Sequence, residues 1–409
     1  MKSGKEHNIG AGSKGLILLA AGMTVVWLIG IALAAGVTEV SARGLAFGLG
    51  GGQAAAPDRP LLSEEAFKNV QVLRGLPVDD FMGTMGVMCA SLAFDCSDCH
   101  DAAGTDRVDW AADTPRKRTA RRMVTMVATI NKDNFGGRQV VTCWTCHRNR
   151  DRPLVTPSIE VMYGMPPEER DDIVVPSPVS AGMPSADQIL DKYIQALGGA
   201  QRLRELTSFV AKGTGVGFGG FGGGSQVQIF AKAPDQRTTI IEFKDAPDRG
   251  DSTRSYNGRA GWLKTPLTVL GEYALSGSEL DGARLDAQLS FPGQIKQVLT
   301  NLRVGFPASS NDRDVVIVQG EGARGLVATL YFDKESGLLV RMVRYGKSPI
   351  GRVPTQVDYA DYRDVGGIKM PFRWTFSWLD GRDSFQLTDV QRNVPIDAAK
   401  FDRVSTSGR

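Results

Sequence analysis

Cys96-Ser97-Asp98-Cys99-His100 and Cys143-Trp144-Thr145-Cys146-His147 are two copies of one pattern, CxxCH. They use four of the five cysteines and two of the three histidines in the 409-residue chain. Covalent haem attachment requires this spacing. Two thiols add to the two vinyl groups of one porphyrin, and the adjacent imidazole becomes the proximal iron ligand. A pair of redox CxxC sites or one split zinc site also uses paired cysteines, but neither needs a histidine after the second cysteine both times. The reading is a dihaem c-type cytochrome. Cys96 and Cys99 tether one haem c, Cys143 and Cys146 the other, and His100 and His147 bind the irons.

The chain is long enough for two domains and an N-terminal addition. A net charge of +3 gives no case for nucleic acid as a partner. Leu16 to Val37 is apolar and free of charge, long enough to cross a bilayer, and Lys2, Lys5 and Lys14 precede it. The expectation is a cytoplasmic tail over 1–14 and a transmembrane anchor over 15–37. Everything after it would face the periplasm, where c-type haem is attached. The small-residue runs Val40-Ser41-Ala42 and Ala54-Ala55-Ala56 keep a cleaved signal segment open as the alternative.

The fold class expected is multidomain. A Gly/Ala-rich tether covers 38–60 and a mainly α dihaem module 61–156. A linker over 157–184 follows, with seven prolines between Pro153 and Pro184. Residues 185–409 read as an α+β domain with a curved antiparallel sheet, a half-barrel. A helical stretch, Asp187 to Leu206, which ends near Gly198-Gly199, precedes β-type runs at Ser208–Val216, Ser225–Ala231, Thr238–Phe243, Val315–Val318, Val327–Phe332, Leu338–Tyr345, Phe372–Trp378 and Ser384–Gln391. Asp333-Lys334-Glu335-Ser336-Gly337 reads as a hairpin turn. The Gly-rich patch from Gly215 to Gly224 lacks the Lys-Ser/Thr ending of a phosphate loop and reads as a hairpin loop.

The second axial position on each iron is filled by elimination. His7 lies in the expected cytoplasmic tail, so no histidine is spare on the haem side and methionine is the next candidate. Met82, Met85 and Met88 precede the first motif, and Met123 and Met126 the second. Each set repeats at i, i+3, on one helix face. Spacing alone leaves open which members ligate and which pack. The basic run Pro115 to Arg122 opens the second methionine helix, where cations oppose the helix dipole. Haem propionates or an acidic partner are expected to compensate it. Cys89 reads as a small buried residue.

Asn69-Val70-Gln71-Val72-Leu73, Asp80-Phe81-Met82-Gly83-Thr84-Met85, Ala120-Arg121-Arg122-Met123 with Ile130-Asn131, and Val141 to Arg148 resemble the cytochrome c subunit of photosynthetic reaction centres. The resemblance covers about 69–153 and implies Met85 and Met123 as the axial methionines. That subunit carries four haems, and this chain has the equivalent of the first pair only. The resemblance implies single-electron transfer, not enzyme catalysis. The partner would be a photo-oxidised reaction centre, a soluble cytochrome or another periplasmic redox protein. Segments from Tyr193-Ile194-Gln195-Ala196-Leu197-Gly198-Gly199 to Asn393-Val394-Pro395-Ile396-Asp397 resemble periplasmic lipoprotein-carrier domains, which implies an apolar ligand for 185–409. The alternative function is a lipid- or lipoprotein-binding carrier whose haem module is a sensor or docking element.

Overall fold

Strict alternation builds the larger part of the fold. In Ser225-Gln226-Val227-Gln228-Ile229-Phe230-Ala231 the odd-numbered residues are buried and the even-numbered ones are not, the period of a strand with one face on a core. A computed structural model describes residues 59–105, 107–157, 183–217, 224–243, 250–266, 270–379 and 381–403. The expected tail, the spanning segment and nearly all of the tether lie outside the described residues, as do 158–182 of the linker and the tip of the Gly-rich hairpin. No helix of the described residues is long and apolar enough to cross a membrane.

The strands are β1 (Ser208–Gly217), β2 (Ser225–Lys232), β3 (Gln236–Phe243), β4 (Ser252–Asn257), β5 (Gly261–Lys264), β6 (Glu272–Ala274), β7 (Thr300–Val304), β8 (Ala308–Ser310), β9 (Arg313–Glu321), β10 (Val327–Asp333), β11 (Leu339–Ser348), β12 (Gly351–Val365), β13 (Ile368–Trp378) and β14 (Gly381–Arg392). They form one antiparallel sheet in the order β6-β5-β4-β3-β2-β1-β14-β13-β12-β11-β10-β9-β7, with β8 paired to β9. The β10–β11 turn is the expected one. Asp333 Oδ1 accepts from the Ser336 amide (2.6 Å), and Gly337 takes φ +73°.

Helices line the concave side. α1 (Ser63–Ala66), α2 (Val78–Leu92), α3 (Cys96–Cys99), α4 (Pro115–Phe135) and α5 (Cys143–His147) precede the sheet, followed by α6 (Ala186–Ala196) and α7 (Ala200–Arg204). The chain then leaves the edge strand β6, crosses through α8 (Gly277–Leu289) and α9 (Ile295–Val298), and enters the opposite edge at β7. α8 packs on β3 and β4 and also on β11, with five strands between those two contacts, so the sheet must curve around it. The core between them holds Leu190 and Tyr193 of α6, Leu197 just after it, Leu285 of α8 and Phe332 of β10.

The sequence reading did not include β4 to β8, and other elements differ from it as well. The helix expected to end near Gly198-Gly199 does so, and the rest of the stretch to Leu206 forms a second short helix, α7. Gly198 breaks the stretch at φ +125°, where a Cβ would lie 2.2 Å from the Gly367 carbonyl oxygen. β12, the longest strand, was not expected. It carries Pro354, which pairs with Tyr345 on β11 at a level where β13 does not yet cover the other edge, so the missing N–H costs no ladder bond. α8 was also unexpected, because its buried positions include Asp281 and Gly282 and give no apolar stripe.

The segment with both motifs rests on this sheet. Gly83 and Gly86 bring α2 close to it, their Cβ positions 3.4 Å from Val353 and 3.6 Å from Leu379. Buried Asp79 at the start of α2 accepts from the Ser276 amide and hydroxyl, both at 2.6 Å, and so ties α2 to the residue that opens α8.

Candidate functional site

Each CxxCH is a single helical turn fixed by its neighbours. In the first, Asp95 caps α3, accepting from the Ser97 amide at 2.7 Å, while Asp98 accepts in return from the Asp95 amide at 3.0 Å. Thr114, the N-cap of α4, donates to the Cys99 carbonyl at 3.0 Å. The His100 ring lies 5.0 Å from the Trp110 ring, and its Nδ1 is buried with no partner among the described residues. Burial, and then Lys117, pushes the His100 pKa down, so the imidazole is held in the neutral form that binds metal.

In the second, Thr142 and Thr145 cap α5 reciprocally, and the Cys143 amide donates to the Ile350 carbonyl at 3.1 Å. Arg148 and Asn149 take positive φ and turn the chain back, so that His147 Nδ1 donates to the Arg150 carbonyl at 3.0 Å. That bond fixes the ring and leaves Nε2 as the free lone pair, the arrangement typical of a metal-binding histidine. Burial raises the Cys99 thiol and pushes Cys143 up to about 11, so neither favours the thiolate that redox or zinc chemistry requires. Among the described residues no three His, Cys, Asp or Glu side chains are placed to hold a metal ion, so the two motifs do not merge into one zinc site.

The methionines divide unequally. Met82, Met85 and Met88 on α2 line the same cavity as Cys96, Cys99 and His100. Met85 and Met88 also pack with Leu73, Val87, Val124, Ile350 and Cys143. Met123 on α4 is half-buried and does not line that cavity, while Met126 and Trp144 are exposed. Cys89, expected to be buried, is half-buried on the cavity wall. The sequence reading missed the role of Asn131. It is buried on α4 and bonds the Val141 carbonyl (2.7 Å) and the amides of Val140 and Val141 (3.0 and 2.9 Å), which clamps the loop entering the second motif. The basic run is compensated from within the chain. Arg116 pairs with Asp98, Arg118 and Arg121 pair with Asp113, and Lys117 donates to the Trp110 and Ala112 carbonyls.

Residues 51–160 match the family described as photosynthetic reaction centre cytochrome C subunit. That family implies c-type haem, and the residues fit it: at each motif a cysteine pair precedes an oriented or neutral imidazole, and at the first they border a cavity with three methionines. The reaction-centre cytochrome match ends before the sheet. Solved structures similar to the chain include a LolA superfamily protein from Nitrosomonas europaea (13% identity, covering 54% of this chain and 99% of that one, TM-score 0.37). A DUF1329 family protein from Desulfovibrio piger (12%, 53% and 96%, 0.38) and a putative outer membrane lipoprotein-sorting protein domain from Vibrio parahaemolyticus (11%, 52% and 97%, 0.36) are others. No curated protein matches the chain.

The cavity beside the first cytochrome motif holds about 1400 Å³ and continues between α8 and the sheet. Its charged wall is built around Glu279 on α8. Burial opposes ionisation there, but Arg344 and Arg254, at 3.2 and 3.1 Å, hold the carboxyl down at about 2. Among the described residues, Asp80 at the start of α2 has no such partner. Burial, then Asp79 and Glu279, raises it to about 7. Below pH 3.8 the folded and unfolded chains both keep this proton. Between 3.8 and about 7 the unfolded chain ionises first, so the fold loses stability as pH rises and the loss levels off above 7. Asp80→Asn is therefore expected to stabilise the protein at pH 8 by roughly 1–2 kcal/mol, discounted for partial exposure, and to add nothing at pH 3.5. Thermal melts of both proteins at the two pH values test this, and an equal gain at both would refute it.

Proposed function

We propose that this chain is a dihaem c-type cytochrome that relays single electrons, with Met85 opposite His100 and Met123 opposite His147. The observation that carries the reading is one device used twice: a capped helical turn that starts on the first cysteine of a pair and presents a histidine at its end, with His147 oriented through the Arg150 carbonyl. Bound haem c would supply a one-electron couple, and methionine opposite histidine raises its potential and leaves no open position on iron. The chain's own residues tether it through Cys96, Cys99, Cys143 and Cys146. They keep water from it with Leu73, Val87 and Val124, and hold His100 neutral by burial. The reaction-centre cytochrome match over 51–160 supports a redox protein as partner, either a photosynthetic reaction centre or a soluble cytochrome. No residue need act as a catalyst. Leu16 to Val37 would anchor the chain in the cytoplasmic membrane with its bulk in the periplasm.

The test is an optical redox titration of the protein made in a host that matures c-type cytochromes. Two low-spin haems are expected, both with the methionine–iron charge-transfer band. Met85→Ala and Met123→Ala should each abolish that band at one haem and lower its potential by on the order of 0.1 V, a fraction of the range of about 0.8 V that axial ligation spans. A native high-spin haem that binds carbon monoxide readily would overturn the relay.

A further inference from the structure

The second motif presents a surface that the first does not. In α5, Cys143, Cys146 and His147 share one helix face at i, i+3 and i+4, the face that would hold a haem. Trp144 falls about 100° round from Cys143, off that face. It is 43% exposed, and Val140 before it and Leu154 after it are 49% and 67% exposed. At the corresponding place in α3 stand Ser97 and Asp98, one bonded to Asp95 and the other paired with Arg116. The first motif borders the cavity shared with the sheet, whereas Cys143, Cys146 and His147 do not line it.

Cations flank these apolar residues along the chain. Residues 138–155 contain Arg138, Arg148, Arg150 and Arg152 against one carboxylate, Asp151, and all four arginines are exposed. Arg138, Arg150 and Arg152 form no ion pair among the described residues. The basic run that opens α4 differs, since Arg116, Arg118 and Arg121 are each paired within the chain. Tryptophan and arginine are enriched at protein interfaces and carry much of their binding energy. A cationic rim without its own counter-charges steers an anionic protein toward it. Transient electron-transfer encounters need only a small surface of this kind, below about 1,200 Å².

We propose that residues 138–155, centred on Trp144, form the docking surface for an acidic one-electron carrier protein, which exchanges electrons with the haem tethered by Cys143 and Cys146. One electron passes between the carrier's redox centre and that iron, which goes from ferrous to ferric as an oxidised carrier is reduced, or the reverse, with no bond or proton transferred. The proposal rests on the dihaem relay and adds where its partner binds and with what charge.

Stopped-flow mixing of the reduced, haem-loaded full chain in neutral detergent tests the surface. The probes are oxidised acidic plastocyanin and oxidised basic cytochrome c. Between about 10 and about 300 mM salt the second-order rate with plastocyanin should fall at least about tenfold, and that with cytochrome c should not fall. Arg138→Glu/Arg152→Glu should lower the low-salt rate with plastocyanin at least about fivefold. The same charge change at exposed positions of β1 and the β4–β5 turn, Lys212→Glu/Arg259→Glu, should leave that rate within about twofold. Trp144→Ala should lower the rate at every salt concentration. A salt-independent rate with plastocyanin, or equal losses in the two double variants, would overturn the proposal. So would a dimer in sedimentation that Trp144→Ala converts to monomer, which assigns the surface to a second copy. The wild-type salt series needs no variant, so the proposal stays refutable if a variant fails to fold. A chain without covalent haem in the pyridine haemochrome assay would sink the relay and this surface with it, whereas haem-loaded protein without the salt response sinks the surface alone.

Discussion

Replacing Cys143 and Cys146 together by alanine is expected to reduce covalent haem from two groups per chain to one, while the haem at Cys96 and Cys99 keeps its spectrum. Each attachment turn is held by its own contacts. The first is fixed to the N-terminus of α4 through Thr114 and Arg116, and the second to Ile350 at the β11–β12 turn and to Ser91 through the Arg150 amide. Loss of one pair of thiols therefore leaves the other geometry standing. Cys143 packs with Val87 and Val124, so alanine there avoids burying a hydroxyl without a partner. The pyridine haemochrome absorbance and the intact mass of the chain both report the count. Wild-type protein without covalent haem, or a double variant still carrying two groups, would refute the assignment.

Glu279→Ala is expected to cost about 3–5 kcal/mol, because it strips the carboxylate from Arg344 and Arg254 while their charges stay inside. The Arg344 side chain is 1% exposed, and its Nε already has no partner. Gly282 lies directly under its guanidinium, where a Cβ would come within 2.3 Å, so the arginine cannot swing inward past α8 to find another acceptor. The melting temperature should fall by roughly 5 °C. Glu65→Ala, which breaks the exposed pair with Arg59 and the bond from the Leu62 amide, serves as the control and should lower the melting temperature far less. Comparable losses in the two variants would show that the pair inside the cavity is solvated like one on the surface.

The two cysteine-pair motifs were legible because the chemistry they imply fixes spacing along the chain, and spacing is what a sequence displays. The same holds for the eight expected strands, whose alternation reflects one buried face. β12 was hidden by Pro354 and by its acidic stretch Asp358-Tyr359-Ala360-Asp361, both tolerated for reasons that lie in neighbouring strands. α8 was hidden because it is enclosed by the sheet, and its inner face takes glycine and charge wherever arginines need room. The methionine positions fall between these extremes. Periodicity gave the face, while the choice of Met85 and Met123 came from resemblance.

The bonds from Asp79 to Ser276 span 197 residues, and the bond from Gln139 to Ser348 spans 209. The segment carrying both attachment motifs therefore leaves the ribosome long before the surface it rests on exists. Such non-local contacts form late, after the loop-closure entropy has been overcome. Until then both cysteine pairs would stand clear of the sheet, and Cys96 and Cys146 remain exposed in the folded chain as well. On the function proposed above, haem attachment would come first and the final docking of α2 on the sheet last.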